Sequence, residues 1–369
     1  MNPRVGAIST SLIRQVASRK RPTSIDLGLG EPSLMPNIAH FEAAMLYVRE
    51  RGTRYTANAG DPELRDAIAR HYAYPGLERA ENVCVTVGSQ EAMYATLLTL
   101  FDAANDELLI VEPAFPSYAK MAALHGVAAR GVAMSEAEDF AIDADRIVDS
   151  IGERTRAIVL CSPCNPTGRA ISADQAASLA RVLERRGGAV ALIHDEIYRE
   201  QHFGERVDLA RLYANTIAVN SLSKSNALTG LRLGWILAPE AFIVQAIKVH
   251  AWLTSCTDVF AQHVALHVFA TAALEEHGAW YRERQPLVVA ALRESGLRFI
   301  APDGGFYACV RLRDGMESLP AALALADERD VIAIPGIAFG ACFEGWLRLS
   351  WVAPLDDFCE GLARIAAFC

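Results

Sequence analysis

The chain has 369 residues, a formal charge of -9, and 52% hydrophobic against 21% charged residues. That balance describes a globular protein with room for two packed units and disfavours a nucleic-acid backbone as partner. The N-terminal stretch Met1 to Thr10 lacks the apolar core of a secretory signal and no apolar run reaches membrane-spanning length, so a soluble cytoplasmic protein is expected.

The first forty residues are too few to fold alone and are expected to pack on the C-terminal unit, near a domain junction. From residue 83 to about 240, short apolar runs at 83–87, 108–111, 157–160, 190–193 and 217–219 alternate with alanine-rich stretches of helical length at 90–100, 117–125 and 172–184. The alternation predicts a βαβ succession, hence an α/β fold with a mostly parallel sheet. After residue 250 come helical stretches at 258–276 and 277–295, strands at 298–300, 306–312, 331–334 and 347–351, and a closing helix from about 355. These predict a smaller α+β domain. The expected division is an N-terminal segment 1–40, a large domain 41–250 and a small domain 251–369.

The eight cysteines are too scattered for a disulfide scaffold. Cys161 and Cys164 form a C-x-x-C, but no second pair stands at zinc-ligand spacing, so no metal is expected.

Ligands of parallel sheets sit beyond the carboxyl ends of the strands. At those places lie Gly88-Ser89-Gln90, Glu112-Pro113, Ser162-Pro163, Asp195-Glu196 and Ser221-Leu-Ser-Lys224. Lys224 stands in a hydroxyl-rich turn with Arg232 eight positions later. The segment offers an amine to an aldehyde and hydroxyls with a guanidinium to a phosphate, as pyridoxal phosphate requires; an ordinary surface lysine is the alternative. Asp195 ends a buried strand, where a carboxylate either caps the next turn or pairs with a pyridine nitrogen and keeps it protonated. Tyr198, three residues on, shares a face with Asp195 if the turn is helical, and its phenol suits the cofactor's ring oxygen. Asn165 opens an Asn-Pro-Thr-Gly turn, where its amide can donate to that oxygen and orient a substrate carboxylate.

Ser89 and Gln90 begin a helix after a strand, an anion site that Ser221, Ser223 and Arg232 would complete around one phosphate. Phe115 either stacks on a pyridine face or packs its own loop. Arg348, in the apolar run Trp346-Leu-Arg-Leu-Ser-Trp351, either faces water from an edge strand or takes an α-carboxylate with two parallel hydrogen bonds.

Together these segments closely resemble the class I/II aminotransferases, the fold-type I family of pyridoxal phosphate enzymes, over nearly the whole chain. The matching motifs, in order, are Gly28-Leu-Gly-Glu-Pro32, the Arg54-Tyr-Thr to Leu64-Arg65 segment, Thr86-Val-Gly88, Pro113-Ala-Phe-Pro-Ser-Tyr118 and Ser162-Pro-Cys-Asn-Pro-Thr-Gly168. They continue with Asp195-Glu-Ile-Tyr198, the Lys224 segment, Gly304-Gly-Phe-Tyr307, Pro335-Gly-Ile-Ala-Phe-Gly340 and Leu347-Arg-Leu-Ser350. The resemblance implies a mostly parallel seven-stranded sheet and pyridoxal 5'-phosphate anchored on Lys224, which also shuttles the Cα proton. It further implies that Asp195 pairs with the ring nitrogen, Tyr198 and Asn165 contact the ring oxygen, and Phe115 stacks on the ring. Ser89, Gln90, Ser221, Ser223 and Arg232 would hold the phosphate, and Arg348 the substrate carboxylate beside Gly30. Tyr55 would reach the phosphate of a neighbouring subunit, which implies a homodimer with shared sites.

The chain departs from the family at Ser33, Leu34 and Met35, and it has no arginine between Arg232 and Arg282 to hold a distal carboxylate. Lys120 and Lys248 are the candidate substitutes, while His194 has no assigned role. The expected reaction moves the amino group of an α-amino acid to a 2-oxo acid. The alternative is β- or γ-elimination on the same scaffold, as in carbon–sulfur lyases and aminocyclopropane carboxylate synthases. A DNA-binding regulator is disfavoured, because the resemblance begins within about the first thirty residues and leaves no room for a helix-turn-helix.

Overall fold

Strands covered by helices on both faces read as unbroken apolar runs, and the centre of this molecule is built from such strands. The computed structural model describes residues 2–369. Strand β1 (Ile25–Asp26) lies in the N-terminal segment. The next seven are β2 (Val83–Thr86), β3 (Glu107–Glu112), β4 (Ala128–Ala133), β5 (Thr155–Cys161), β6 (Ala191–Asp195), β7 (Thr216–Ser221) and β8 (Gly234–Leu237). They form one seven-stranded sheet in the order β2-β8-β7-β6-β5-β3-β4. All pairings are parallel except those of β8, which runs antiparallel to β2 and β7. Every residue of β6 is buried.

Two of the seven strands lack the expected signal. β4 is an edge strand, exposed at five of its six positions, so it carries no apolar run. β8 is four residues long and follows directly on the Arg232 turn.

Beyond the sheet, β9 (Phe299–Ile300), β10 (Tyr307–Arg311), β12 (Ile334–Pro335) and β13 (Trp346–Ser350) make a four-stranded antiparallel sheet in the order β12-β13-β10-β9. The run expected at 331–334 is split between two sheets. Its first part, β11 (Val331–Ile332), pairs in parallel with β1, which places the N-terminal segment against this half of the molecule. The helices after residue 250 also differ from expectation, ending and restarting as Val259–Phe269 and Ala273–Glu294. Helix Val259–Phe269 packs on helices Ile38–Arg51 and Pro62–Tyr72, and residue 250 falls inside helix Glu240–Thr254, which packs on β2. The chain therefore leaves the flank of the large sheet after Phe269.

Candidate active site

The site is assembled from loops at the carboxyl ends of β2, β5, β6 and β7 and from β13 of the small sheet. Where β2 passes into helix Gly88–Leu100, Gly88 takes a φ of +77°, and a Cβ built there would lie 2.5 Å from Arg232 Nη2. A Cβ at Gly234 would meet the Gly88 carbonyl carbon and Ser89 N at 2.6 Å and Asn220 O at 2.8 Å. Only glycine permits these approaches, which bring the helix start, the end of β7 and the Arg232 turn into contact. Arg232 Nη1 donates to Thr229 O at 2.8 Å, and Ser221 Oγ accepts Ser223 N–H at 3.2 Å. Ser221 and Ser223 are buried, Ser89 half-buried and Gln90 exposed. None of the Gly88, Ser89 and Gln90 N–H groups donates to a protein acceptor among the described residues. Orphan donors at a helix start beside a guanidinium suit a phosphate.

Asp195 ends β6 between Cys161 of β5 and Val219 of β7, and it is 8% exposed. Its Oδ2 accepts the Tyr118 hydroxyl at 2.5 Å, and its Oδ1 accepts Ile197 N–H at 3.1 Å. Burial raises its pKa above the usual carboxylate range, and these two hydrogen bonds oppose the rise. Tyr118 stands edge-on to Phe115, with centroids 6.2 Å apart, so the aromatic proposed for stacking packs against the partner of the carboxylate.

Lys224, Gly30, Tyr198, Asn165 and Arg348 meet around Tyr307. Lys224 Nζ donates to Gly30 O at 2.7 Å. A Cβ on Gly30 would overlap the Tyr307 hydroxyl, which accepts from the Tyr198 hydroxyl at 3.4 Å. Arg348 is 2% exposed, with Cζ 4.1 Å from the Tyr307 ring centroid, so the reading of it as a water-facing edge arginine is excluded. β13 is an interior strand, and Arg348 Nη1 donates to Asn165 Oδ1 at 3.0 Å while Nη2 donates to Gly28 O. Its Nε has no partner among the described residues. Burial, joined by the charges of Arg348 and Arg232, lowers the pKa of Lys224, against the opposing effect of Tyr307. An amine with a lowered pKa is a better nucleophile and proton carrier.

The expected shared face of Asp195 and Tyr198 differs from this geometry. Tyr198 does not share a helical face with Asp195, because it precedes a single 3-10 turn, Arg199–Gln201, and swings to Tyr307. Tyr55, expected to reach a neighbouring subunit, is 88% exposed. Lys120 is held by Ser9 and Lys248 by Gln245, both at the surface. Cys161 and Cys164 are free thiols that donate to the carbonyls of Pro163 and Pro113. His194 points to the opposite face of β6 from Asp195, with Nδ1 2.8 Å from Glu196 Oε1. Tyr118 and Tyr307 join the site without a role expected from sequence; a polar aromatic in each motif is the signal available for them.

The chain matches the family model described as aminotransferase class I and II over residues 22–362. It is 33% identical to an aspartate aminotransferase of Pyrococcus horikoshii, over 98% of this chain and 95% of that protein. It is 32% identical to an arginine–pyruvate transaminase of Pseudomonas aeruginosa, over 92% and 89% of the two chains. The solved structure of a Thermus thermophilus aspartate aminotransferase with maleate superposes with a TM-score of 0.92 at 28% identity, covering 100% of this chain and 99% of that one. With the family model spanning most of the chain and the fold shared end to end, this chain belongs to the class I and II aminotransferase family.

Proposed function

We propose that the protein is a pyridoxal 5'-phosphate-dependent aminotransferase that moves the amino group of an α-amino acid to a 2-oxo acid. One observation carries the reading: among the described residues, a half-buried lysine, a buried carboxylate without a salt-bridge partner, and a set of orphan N–H donors beside Arg232 lie on neighbouring strand ends. Those residues fit the cofactor. Asp195 would face its ring nitrogen, Phe115 its ring, and Asn165 and Tyr198 its ring oxygen. Gly88 to Gln90, Ser221, Ser223 and Arg232 would hold its phosphate. When bound, the cofactor supplies a covalent link to the amino group and withdraws electrons from Cα.

The protein's own part is positioning and proton movement. Arg348 would grip the substrate α-carboxylate with Asn165, which keeps its amide nitrogen as a donor because Oδ1 is occupied by Arg348. That grip fixes which Cα bond faces Lys224. Lys224 Nζ, depressed in pKa by burial, would take the Cα proton and return it to the far side of the transferred nitrogen. Tyr307, packed on Gly30 and under Arg348, would keep the two cations apart and exclude water.

Transamination is favoured over elimination because the relatives are named as transaminases. The donor side chain is left open, since relatives of nearly equal identity are named for aspartate and for arginine. We further propose a homodimer. Trp252 is 92% and Met35 84% exposed, and Ile38, Met45, Leu46 and Leu253 are exposed too. Asn58 Nδ2 donates to Ser255 O at 2.6 Å, tying the Tyr55 turn to the end of the helix that bears Trp252. Apolar exposure of this extent marks a partner surface. A cytoplasmic location belongs to the same reading, supported by eight unpaired cysteines.

The test is spectroscopic. Addition of amino acids to the protein loaded with pyridoxal phosphate should shift the cofactor absorbance, and 2-oxo acids should restore it, with Lys224→Ala inert. Release of ammonia and an oxo acid without an acceptor would replace this reading with a lyase. Light scattering that gives a monomer at micromolar concentration would remove the dimer.

A further inference from the structure

A Ser, Thr, Asp or Asn at the N-cap of a helix commits first-turn N–H groups to its own side chain, the same donors an anion would need. Helix Gly88–Leu100 instead has Val87 at its N-cap, with no side-chain cap bond. Its first-turn donors stay free, and something other than a cap must fix the turn from strand to helix. Glu91 is placed to do this. Its Oε2 accepts Val87 N–H at 2.5 Å, the donor just outside the set that faces Arg232. Its Oε1 accepts from His250 Nδ1 at 2.7 Å and from the Thr254 hydroxyl at 3.4 Å.

His250 is fully buried and lies on helix Glu240–Thr254, which packs along helix Gly88–Leu100. Both carboxylate oxygens are thus engaged away from the cradle. A negative charge in the first turn suits the helix dipole, yet it would repel a bound phosphate if it swung free; His250 and Thr254 hold it back.

We propose that Glu91, braced by His250 and Thr254, is a positioning residue for the cofactor phosphate: it fixes the Val87–Gly88 turn so that the N–H groups of Gly88, Ser89 and Gln90 converge with Arg232. The inference rests on reading this cradle as a phosphate site. It concerns how the donors are aimed and adds no contact to the ligand itself.

Titration of the apoprotein with pyridoxal phosphate, followed by absorbance and by quenching of tryptophan fluorescence, gives the dissociation constant. Glu91→Ala should weaken binding by about tenfold or more, the scale of losing a charge-assisted hydrogen bond. Glu91→Gln keeps an oxygen for Val87 N–H and should stay within about threefold of wild type, while KM for the amino donor at saturating cofactor is unchanged in both. A merely structural role would lower the unfolding midpoints of apo and loaded protein equally; the positioning role narrows the gap between them. An unchanged dissociation constant in a folded Glu91→Ala protein overturns the inference alone. If that variant does not fold, His250→Ala takes its place, with weakening of about threefold expected and wild-type binding as the overturning result. Failure of the wild-type protein to take up pyridoxal phosphate overturns the cradle reading, and the inference with it.

Discussion

Asp195 and the pair Glu196 and Glu200 lie within five residues of each other and behave oppositely. Asp195 faces the site with hydrogen bonds from Tyr118 and Ile197 and no salt-bridge partner among the described residues. Glu196 and Glu200 point away from it into a closed set of charges. Glu196 accepts the Tyr74 hydroxyl on both oxygens, at 2.9 and 3.0 Å. Glu200 meets Arg199 Nη1 at 2.7 Å and His71 Nε2 at 3.1 Å. Arg199 also approaches Asp208 and lies over the Tyr72 ring. Burial pushes Glu200 up, but His71 and Arg199 override it and hold it at about 2; for Asp195, burial prevails. The difference separates acids satisfied within the chain from one left short of a cation, a shortfall that the ring nitrogen of the proposed cofactor would make good.

The sharpest way to break the comparison is Asp195→Asn. On the proposed assignment it lowers kcat/KM by about 10²- to 10³-fold, the scale of losing one placed electrostatic partner. The same change should stabilise the apoprotein at neutral pH. A folded-state pKa raised above the unfolded value of 3.8 means that stability is lost as pH rises through the interval between them, and the amide removes that loss. Wild-type turnover in this variant would place Asp195 with its neighbours.

Arg199→Met tests the other member by leaving Glu196 and Glu200 without their shared cation. Urea unfolding should show a loss of about 3–5 kcal/mol. A loss below about 1 kcal/mol would mean that the histidines carry the network.

Glu200→Gln should flatten the acid limb of stability. A pKa depressed from 4.5 to about 2 contributes stability that is present above 4.5 and is lost as pH falls toward 2. The wild-type protein should therefore lose up to about 3 kcal/mol more than the variant over that interval, read from urea midpoints.

Tyr118→Phe is the smallest perturbation. Removing a hydrogen bond that lowers the Asp195 pKa lets it rise further, so the acid limb of kcat/KM should move to higher pH. The plateau should fall by no more than about tenfold. An unmoved limb would separate Asp195 from the pH dependence.

Asp195 and Arg348 were legible in the sequence because a charged residue in or at the end of an apolar strand is costly without a purpose, and Lys224 because hydroxyls and Arg232 surround it in one short turn. Strands β2, β3, β5, β6 and β7 were legible as apolar runs, four of them interior parallel strands buried on both faces and β2 an edge strand that is nonetheless buried throughout. Edge strand β4 was not, since exposure at five of six positions erases the pattern. Tyr118 and Tyr307 act on residues far away in sequence, Tyr118 on a carboxylate 77 positions on, and no local periodicity encodes that meeting. His194 was conspicuous but unassignable, because its partner Glu196 is revealed only by the alternation of faces along a strand that ends between them.

Both reactive cations of the site rest on main-chain oxygens of the same short N-terminal stretch: Arg348 on Gly28 O and Lys224 on Gly30 O. Neither anchor position has room for a side chain, since a Cβ on Gly28 would lie 2.7 Å from Ile332 Cγ2 and one on Gly30 would overlap the Tyr307 hydroxyl, whereas the residues that follow bond to neither cation. Ser33, Leu34 and Met35 lie just beyond those anchors. On the proposed function, substitutions at these three positions would alter the substrate side of the pocket while leaving both cations on their glycine anchors.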